Sequence, residues 1–299
     1  MSSSQKTFKK FVLNNGLEMP AVGMGTYRIR NESVLMQAVD DALRTGYRMF
    51  DTAAVYGNEQ YLKKAFNQLL PKYGLEREDI FITTKMAPSD HGGNEITEKA
   101  FLKSLDNLGL EYIDLYLIHF PGTARIPTTD PRNKELRGNT WAKLVEIYDS
   151  GKVKAIGVSN YTVRHLKELA ANSHGLMPAV NQVEWHPYYF QPELLKYCND
   201  NDILLQAYCS LGGTSAQNAS LLEDPVVVNI AKKLNVTRPQ LLLAWAIQQG
   251  VAVIPKSTNP EHIKQNIELE FVIPKSDLEA LNGLGRNNIK YAWDPSEVV

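Results

Sequence analysis

The sequence predicts a single (β/α)8 barrel over residues 1–299. Three observations carry that prediction: eight short apolar runs, helical stripes between them, and no long linker to divide the chain. The runs are residues 22–25, 48–51, 80–85, 112–119, 154–159, 180–184, 203–208 and 251–255. Several are continuously apolar, as strands are when helices cover both faces of a parallel sheet. Between them, residues 95–108 place Ile96, Ala100, Leu105 and Leu108 at helical spacing. Residues 163–170 make a second stripe of Val163, Leu166, Leu169 and Ala170. Thr162 precedes that helix and Thr237 precedes Arg238-Pro239, both in N-cap positions. An open doubly wound sheet is the competing architecture for the same alternation.

Three segments stand outside the alternation. Asn14-Asn15-Gly16, between residues 11–13 and 18–21, signals a β-hairpin that would close the bottom of the barrel. Residues 120–136 read as a long loop after the fourth run. Residues 284–299 read as a tail over the barrel mouth, carrying Tyr291 and Trp293.

Lys+Arg number 32 against 33 Asp+Glu, with no basic stripe, so nothing attracts nucleic acid or an anionic membrane. Residues 1–15 carry lysines but no apolar run of the kind a secretory leader needs, and no stretch is long enough to span a bilayer. Cys198 and Cys209 each adjoin an apolar segment and read as buried free thiols, which suits a reducing, cytoplasmic setting. Nothing demands a protein partner, so a monomer acting on a small molecule is expected.

What ends each run is more informative. Asp51, Lys85 and His119 end the second, third and fourth; Ser159-Asn160 ends the fifth; Gln182 lies in the sixth; Tyr208 ends the seventh; and the eighth runs into Lys256. In a (β/α)8 barrel these positions open onto one rim, where barrel enzymes build their sites. Asp51 and Lys85, on neighbouring strands, should meet as a desolvated ion pair. Tyr56, a short loop after Asp51, could bring its hydroxyl over Lys85, whose ammonium would lower a phenol pKa from about 10 toward a useful range. His119, from the next strand, can donate a hydrogen bond. A carbonyl receiving hydride needs a proton donor and a second hydrogen-bond donor at its oxygen, and neither a metal nor a nucleophile. A metal-dependent hydrolase using His119, Glu184 and His186 is the rival, but the first and eighth strands offer only Gly25-Thr26 and Lys256 where ligands would have to converge.

Gly46-Tyr47-Arg48-Met49-Phe50-Asp51-Thr52-Ala53-Ala54-Val55-Tyr56-Gly57-Asn58-Glu59, Gly151-Lys152-Val153-Lys154-Ala155-Ile156-Gly157-Val158-Ser159-Asn160-Tyr161 and Ile254-Pro255-Lys256-Ser257-Thr258-Asn259-Pro260 follow one another in this chain. With these three segments, it resembles the aldo-keto reductase superfamily over nearly its whole length. The resemblance implies a tetrad of Asp51, Tyr56, Lys85 and His119, with Tyr56 as proton donor, Lys85 and Asp51 tuning it, and His119 orienting the carbonyl. It implies NADP(H) lying across the barrel mouth without a Rossmann domain. In keeping with that, Gly23-Met24-Gly25 begins a Gly-x-Gly but lacks the third glycine. By the same carry-over, Ser159, Asn160 and Gln182 would hold the nicotinamide carboxamide, and Tyr208 would stack on its ring. Ser210 and Leu211 would line the pyrophosphate, Lys256, Ser257, His262, Gln265 and Asn266 the adenosine end, and Gly25, Thr26 and Asp51 would also bind the cofactor. The substrate pocket would comprise Tyr27, Val55, Tyr56, Ala87, His119, Phe120 and Trp293.

The chain departs from the family pattern in two places. His262 stands where an arginine usually grips the 2′-phosphate, and a neutral imidazole is a weaker partner, so use of NAD(H) stays open. Tyr27, Ala87 and Phe120 stand where aldose and aldehyde reductases carry tryptophans, which implies a wider, slightly more polar pocket. A cofactor-binding sensor or regulatory subunit with little turnover is the alternative on the same fold.

Overall fold

The computed structural model describes residues 9–213 and 217–299; the reading of residues 1–8 lies outside them. Eight parallel strands follow one another around a barrel: β3 (Met24–Gly25), β4 (Met49–Asp51), β5 (Phe81–Met86), β6 (Ile113–Ile118), β7 (Val153–Ser159), β8 (Val180–Glu184), β9 (Leu204–Tyr208) and β10 (Ala252–Val253). Each pairs with its sequence neighbour. A parallel bridge between Val22 and Val253 brings the first strand to the last, with Gly23 N–H donating to Val253 O at 2.9 Å and Val253 N–H to Ala21 O at 2.8 Å. The closed barrel, and not the open sheet, is therefore the fold. Gly25 is required at this seam: a Cβ there would lie 2.7 Å from Ile254 O.

The hairpin forms as expected, β1 (Lys10–Val12) pairing antiparallel with β2 (Glu18–Pro20). It delivers the fully buried Met19 into the inner core beside Met49, Phe81 and Leu115. Outside the strands, a larger core fills the layer between sheet and helices and contains Trp141, Trp185 and Trp245, each fully buried. Thr162 caps α5 (Val163–Ala171) and Thr237 caps α9 (Arg238–Gln248), each accepting a backbone N–H three residues on.

Two expectations are corrected, and two helices are added. In α3 (Asn94–Leu108), Ile96 is 44% exposed; the buried face is Thr97, Phe101, Ser104 and Leu108, with Phe101 edge-on to Tyr116 at 5.1 Å. The loop after β6 ends earlier than expected, because α4 (Arg132–Asp149) starts directly after Pro131, whose fixed φ of −62° suits a helix start. Between β9 and β10 the chain adds α7 (Ser220–Glu223) and α8 (Pro225–Leu234) ahead of α9; Asp224 before Pro225 was the local signal for α8. Among the described residues, no helix is long and apolar enough to cross a membrane.

Candidate active site

The strand ends converge on one rim. Lys85, fully buried within β5, donates from Nζ to Asp51 Oδ1 at 2.7 Å and to Thr52 O at 2.7 Å. The other Asp51 oxygen accepts from Gln182 Nε2 at 2.8 Å. Burial pushes Asp51 up and Lys85 down, and each charge opposes the other's shift. The expected ion pair is thus present, desolvated and supplied with further hydrogen bonds, which a buried pair needs.

Tyr56 is held by the turn that carries it. Thr52 Oγ1 donates to Asn58 Oδ1 at 2.6 Å, and Asn58 Nδ2 donates to the carbonyls of Thr26 and Ile29 at 3.0 and 3.1 Å. Between Thr52 and Asn58 the chain makes one 3-10 turn, Ala54–Tyr56, ended by Gly57 at φ 68°, a conformation glycine adopts without strain. The Lys85 ammonium lies 5.1 Å from the centroid of the Tyr56 ring, and the hydroxyl makes no hydrogen bond among the described residues. The expected lowering of the Tyr56 pKa is overturned. Burial raises it well above the usual phenol value, and the Asp51 carboxylate, Tyr27 and Cys209 add to the rise. The ammonium is already engaged with Asp51 and Thr52, so the phenol keeps its proton.

His119, 7% exposed, follows β6 directly. Burial, then the Lys85 charge, hold it well below the ordinary histidine range, so its ring is neutral. Nδ1 is buried without a partner, and neither ring nitrogen makes a hydrogen bond among the described residues. The ring is located by packing instead, 5.8 Å from the Tyr56 ring and 5.1 Å from the Trp293 indole. Trp293 also meets Phe120 edge-on at 5.6 Å, while Tyr27 lies 5.1 Å from Tyr56. Tyr27, Val55 and Trp293 are 45–48% exposed, which leaves an apolar rim beside Tyr56 and His119. Ala87 is buried at the end of β5. The tail thus brings Trp293 to the pocket residues His119 and Phe120, where it was expected, while positions 27, 87 and 120 carry no tryptophan.

On the opposite side, the residues assigned to the carboxamide are bonded to one another. Ser159 Oγ donates to Gln182 O at 2.8 Å. Asn160, at φ 64°, donates from Nδ2 to His119 O at 2.9 Å and to Ser159 Oγ at 3.0 Å. Asn160 Oδ1 accepts from Tyr208 Oη at 2.6 Å, and Gln182 Nε2 also donates to Gln206 Oε1 at 2.7 Å. What Gln182 still offers a ligand is its carbonyl oxygen. Thr26 is buried and bonded to Asp51 O, so Thr26 and Gly25 hold the barrel seam. Ser210 is buried against Ala207 O and Leu211 is half-buried.

Beyond β10, Lys256 and His262 are exposed, and their side chains make no hydrogen bond or ion pair among the described residues. Ser257 and Asn266 are buried nearby, and Gln265 bonds to Glu261. The Lys256 ammonium and the His262 imidazole at this end, beside a Ser257 hydroxyl bonded to the Asn259 backbone, with amide side chains at the other, fit a dinucleotide carrying phosphate at one end and a carboxamide at the other.

The structural roles of several residues at the rim escaped the sequence reading. Glu184, set against a metal site there, takes four donors: Tyr291 N–H at 2.6 Å and His186 Nε2 at 3.0 Å on Oε1, Lys290 Nζ and Ala292 N–H, each at 2.9 Å, on Oε2. Burial raises its pKa, but His186, Lys290 and the amides outweigh that and hold it at about 2. With roughly four lone-pair sites on a carboxylate, it has no oxygen left for a metal. His91 supports Phe120 by bonding to its carbonyl at 2.8 Å. Cys198 is a buried free thiol as expected; Cys209 is free but only half-buried.

Comparison with known proteins agrees with this geometry. A model described as "Aldo/keto reductase family" matches residues 21–286. The glycerol 2-dehydrogenase (NADP(+)) of Saccharomyces cerevisiae is 37% identical over 311 residues, covering 96% of this chain and 95% of that one. The glyoxal reductase of Bacillus subtilis is 38% identical over 288 residues, covering 96% of each. The crystal structure of an aldo-keto reductase from a Medee basin deep-sea metagenome library superposes with a TM-score of 0.85 at 39% identity, covering 96% of this chain and 98% of that one.

Proposed function

This chain belongs to the aldo/keto reductase family, and from that premise we propose that it reduces aldehydes and ketones to alcohols with NADPH. One observation carries the reading: the Tyr56 phenol and the His119 imidazole, their rings 5.8 Å apart beside the buried Lys85–Asp51 pair, make no hydrogen bond among the described residues, and burial raises the pKa of the first and lowers that of the second. The bound nicotinamide cofactor would supply hydride to the carbonyl carbon. Negative charge then grows on the carbonyl oxygen, and Tyr56 gives it a proton while His119 donates a hydrogen bond that fixes its direction. Lys85, 5.1 Å from the phenol ring, stabilises the charge left on Tyr56, and Asp51 and Gln182 hold Lys85 in place. Tyr27, Phe120 and Trp293 would receive the apolar part of the substrate.

Asn160, Gln182 and Tyr208 would hold the nicotinamide end, which requires Tyr208 to exchange its bond to Asn160 for a contact with the ring. Lys256, Ser257 and His262 would meet the 2′-phosphate. The name of the yeast relative, an NADP(+) glycerol 2-dehydrogenase, supports the choice of cofactor. The test is a kinetic screen of aldehydes, ketones, quinones and sugars with NADPH and NADH in parallel. Steady NADPH oxidation by an aldehyde is expected. Cofactor binding without turnover on any carbonyl would favour a sensor or regulatory subunit instead.

A further inference from the structure

We propose that Glu184 is the positioning residue of the barrel mouth: from the end of β8 its carboxylate fixes the tail at Lys290–Ala292, and so places one aromatic ring on each side of the opening. The inference about the substrate side rests on the function proposed above; the geometry of the tail does not.

Two of the four donors on Glu184 are consecutive backbone amides, of Tyr291 and Ala292, so the carboxylate fixes main chain as well as side chains. Glu184 is itself 1% exposed. Around it, the Lys290 ammonium lies 4.8 Å from the Tyr189 ring centroid, and the His186 and Tyr291 rings are 5.4 Å apart. The tail is joined on the upstream side by Ile289 N–H to Tyr188 O at 2.9 Å. Downstream it is tied again, Val298 being fully buried with its carbonyl accepting from His165 Nε2 at 2.8 Å and from Arg164. Trp293 lies between these two attachments, so its place over His119 and Phe120 follows from where they hold the chain.

Tyr291 faces the other way. Its hydroxyl lies 2.9 Å from Ser220 Oγ, and its ring covers the glycines after Cys209: a Cβ on Gly213 would lie 2.7 Å from the ring, one on Gly212 3.5 Å. That segment directly follows Ser210 and Leu211, the residues assigned to the pyrophosphate. A single buried carboxylate therefore joins the wall of the substrate pocket to the loop on the cofactor side, although Glu184 touches neither reacting group.

The test compares wild type with Glu184→Gln, which keeps the shape but puts an N–H2 where two donors now converge. Trp141, Trp185 and Trp245 are fully buried and Trp293 is 47% exposed, so collisional quenching of tryptophan fluorescence by iodide reports on Trp293. In Glu184→Gln, quenching should change and KM for an aldehyde should rise about two- to tenfold, the size of a lost aromatic contact, with kcat nearly kept. Lys290→Met removes one donor of four and should move both readouts the same way by less; it serves if Glu184→Gln does not fold. Unchanged quenching and KM in a folded Glu184→Gln protein would overturn the proposal, as would a fall in kcat at constant KM. Should wild type turn over no carbonyl, the reductase reading fails, and quenching alone still decides whether Glu184 holds the tail.

Discussion

At the ends of β4 and β5, the Lys85 ammonium, the Asp51 carboxylate, the Thr52 carbonyl and the Gln182 amide are bonded to one another, and Asp51 and Lys85 are almost wholly removed from solvent. Beyond β10, Lys256 and His262 extend into solvent with no side-chain partner among the described residues. The first arrangement is locked by burial: each member would be costly to leave unpaired, so the proton donor's surroundings cannot change without cost to folding. The second is held by nothing, so a substitution there can alter which dinucleotide is preferred while leaving the barrel intact.

The sharpest way to break this contrast is Lys85→Met. It keeps the stem but leaves Asp51 buried with only Gln182, so stability should fall by about 3–5 kcal/mol, the usual result of removing one member of a buried pair, and activity should fall with it. Denaturant unfolding and turnover together check this; an active, equally stable variant would refute the locked half. Next in size, Tyr56→Phe should remove about 10²–10⁴-fold from kcat while leaving cofactor affinity and stability near wild type, because its hydroxyl makes no hydrogen bond among the described residues. Near-normal turnover in that variant would show that another group gives the proton.

Acid distinguishes the two sides without mutation. Burial holds His91 and His165 neutral, with pKa values near 4 against an ordinary 6.5. Unfolded chain binds those protons first, so this contribution is complete above pH 6.5 and is lost as pH falls from 6.5 to about 4, on the order of 3 kcal/mol per group. His91 bonds to the carbonyl of the pocket residue Phe120, and His165 to the carbonyl of Val298 in the tail. Thermal unfolding across that range should show the loss, and a flat profile would mean that neither histidine is held neutral. The smallest effect belongs to the open end. His262→Arg offers a permanent, forked donor and should tighten NADPH by about 1.5–3 kcal/mol where geometry permits, leaving NADH and stability unmoved. Fluorescence titration of both cofactors decides it; equal NADPH affinity would remove His262 from the phosphate.

Much of this was legible in the chain. Polar residues closing apolar runs stand out, so Asp51, Lys85, His119, Asn160 and Lys256 could be assigned to a rim before any coordinate was known. The face of α3 was misread because Thr97 and Ser104 occupy buried positions that an apolar count passes over, while Ile96 faces out. The direction of the Tyr56 shift was missed for a different reason. Adjacency to Lys85 is visible in the order of strands, but the depth of burial that outweighs it is not. Glu184 shows the same limit, since its partners at 290–292 lie far along the chain and two of them are backbone amides, which no side-chain motif displays.

The seam between Gly25 and Ile254 has a consequence for how the protein comes into being. The barrel closes only where β3 meets β10, two of the shortest strands, drawn from opposite ends of the sequence. During synthesis β3 emerges early and must wait, with one edge unpaired, until nearly the whole chain has left the ribosome. Such distant pairing is slow, and an uncovered strand edge invites the wrong neighbour meanwhile. Because both strands are short, the edge left open in the nascent chain is correspondingly small.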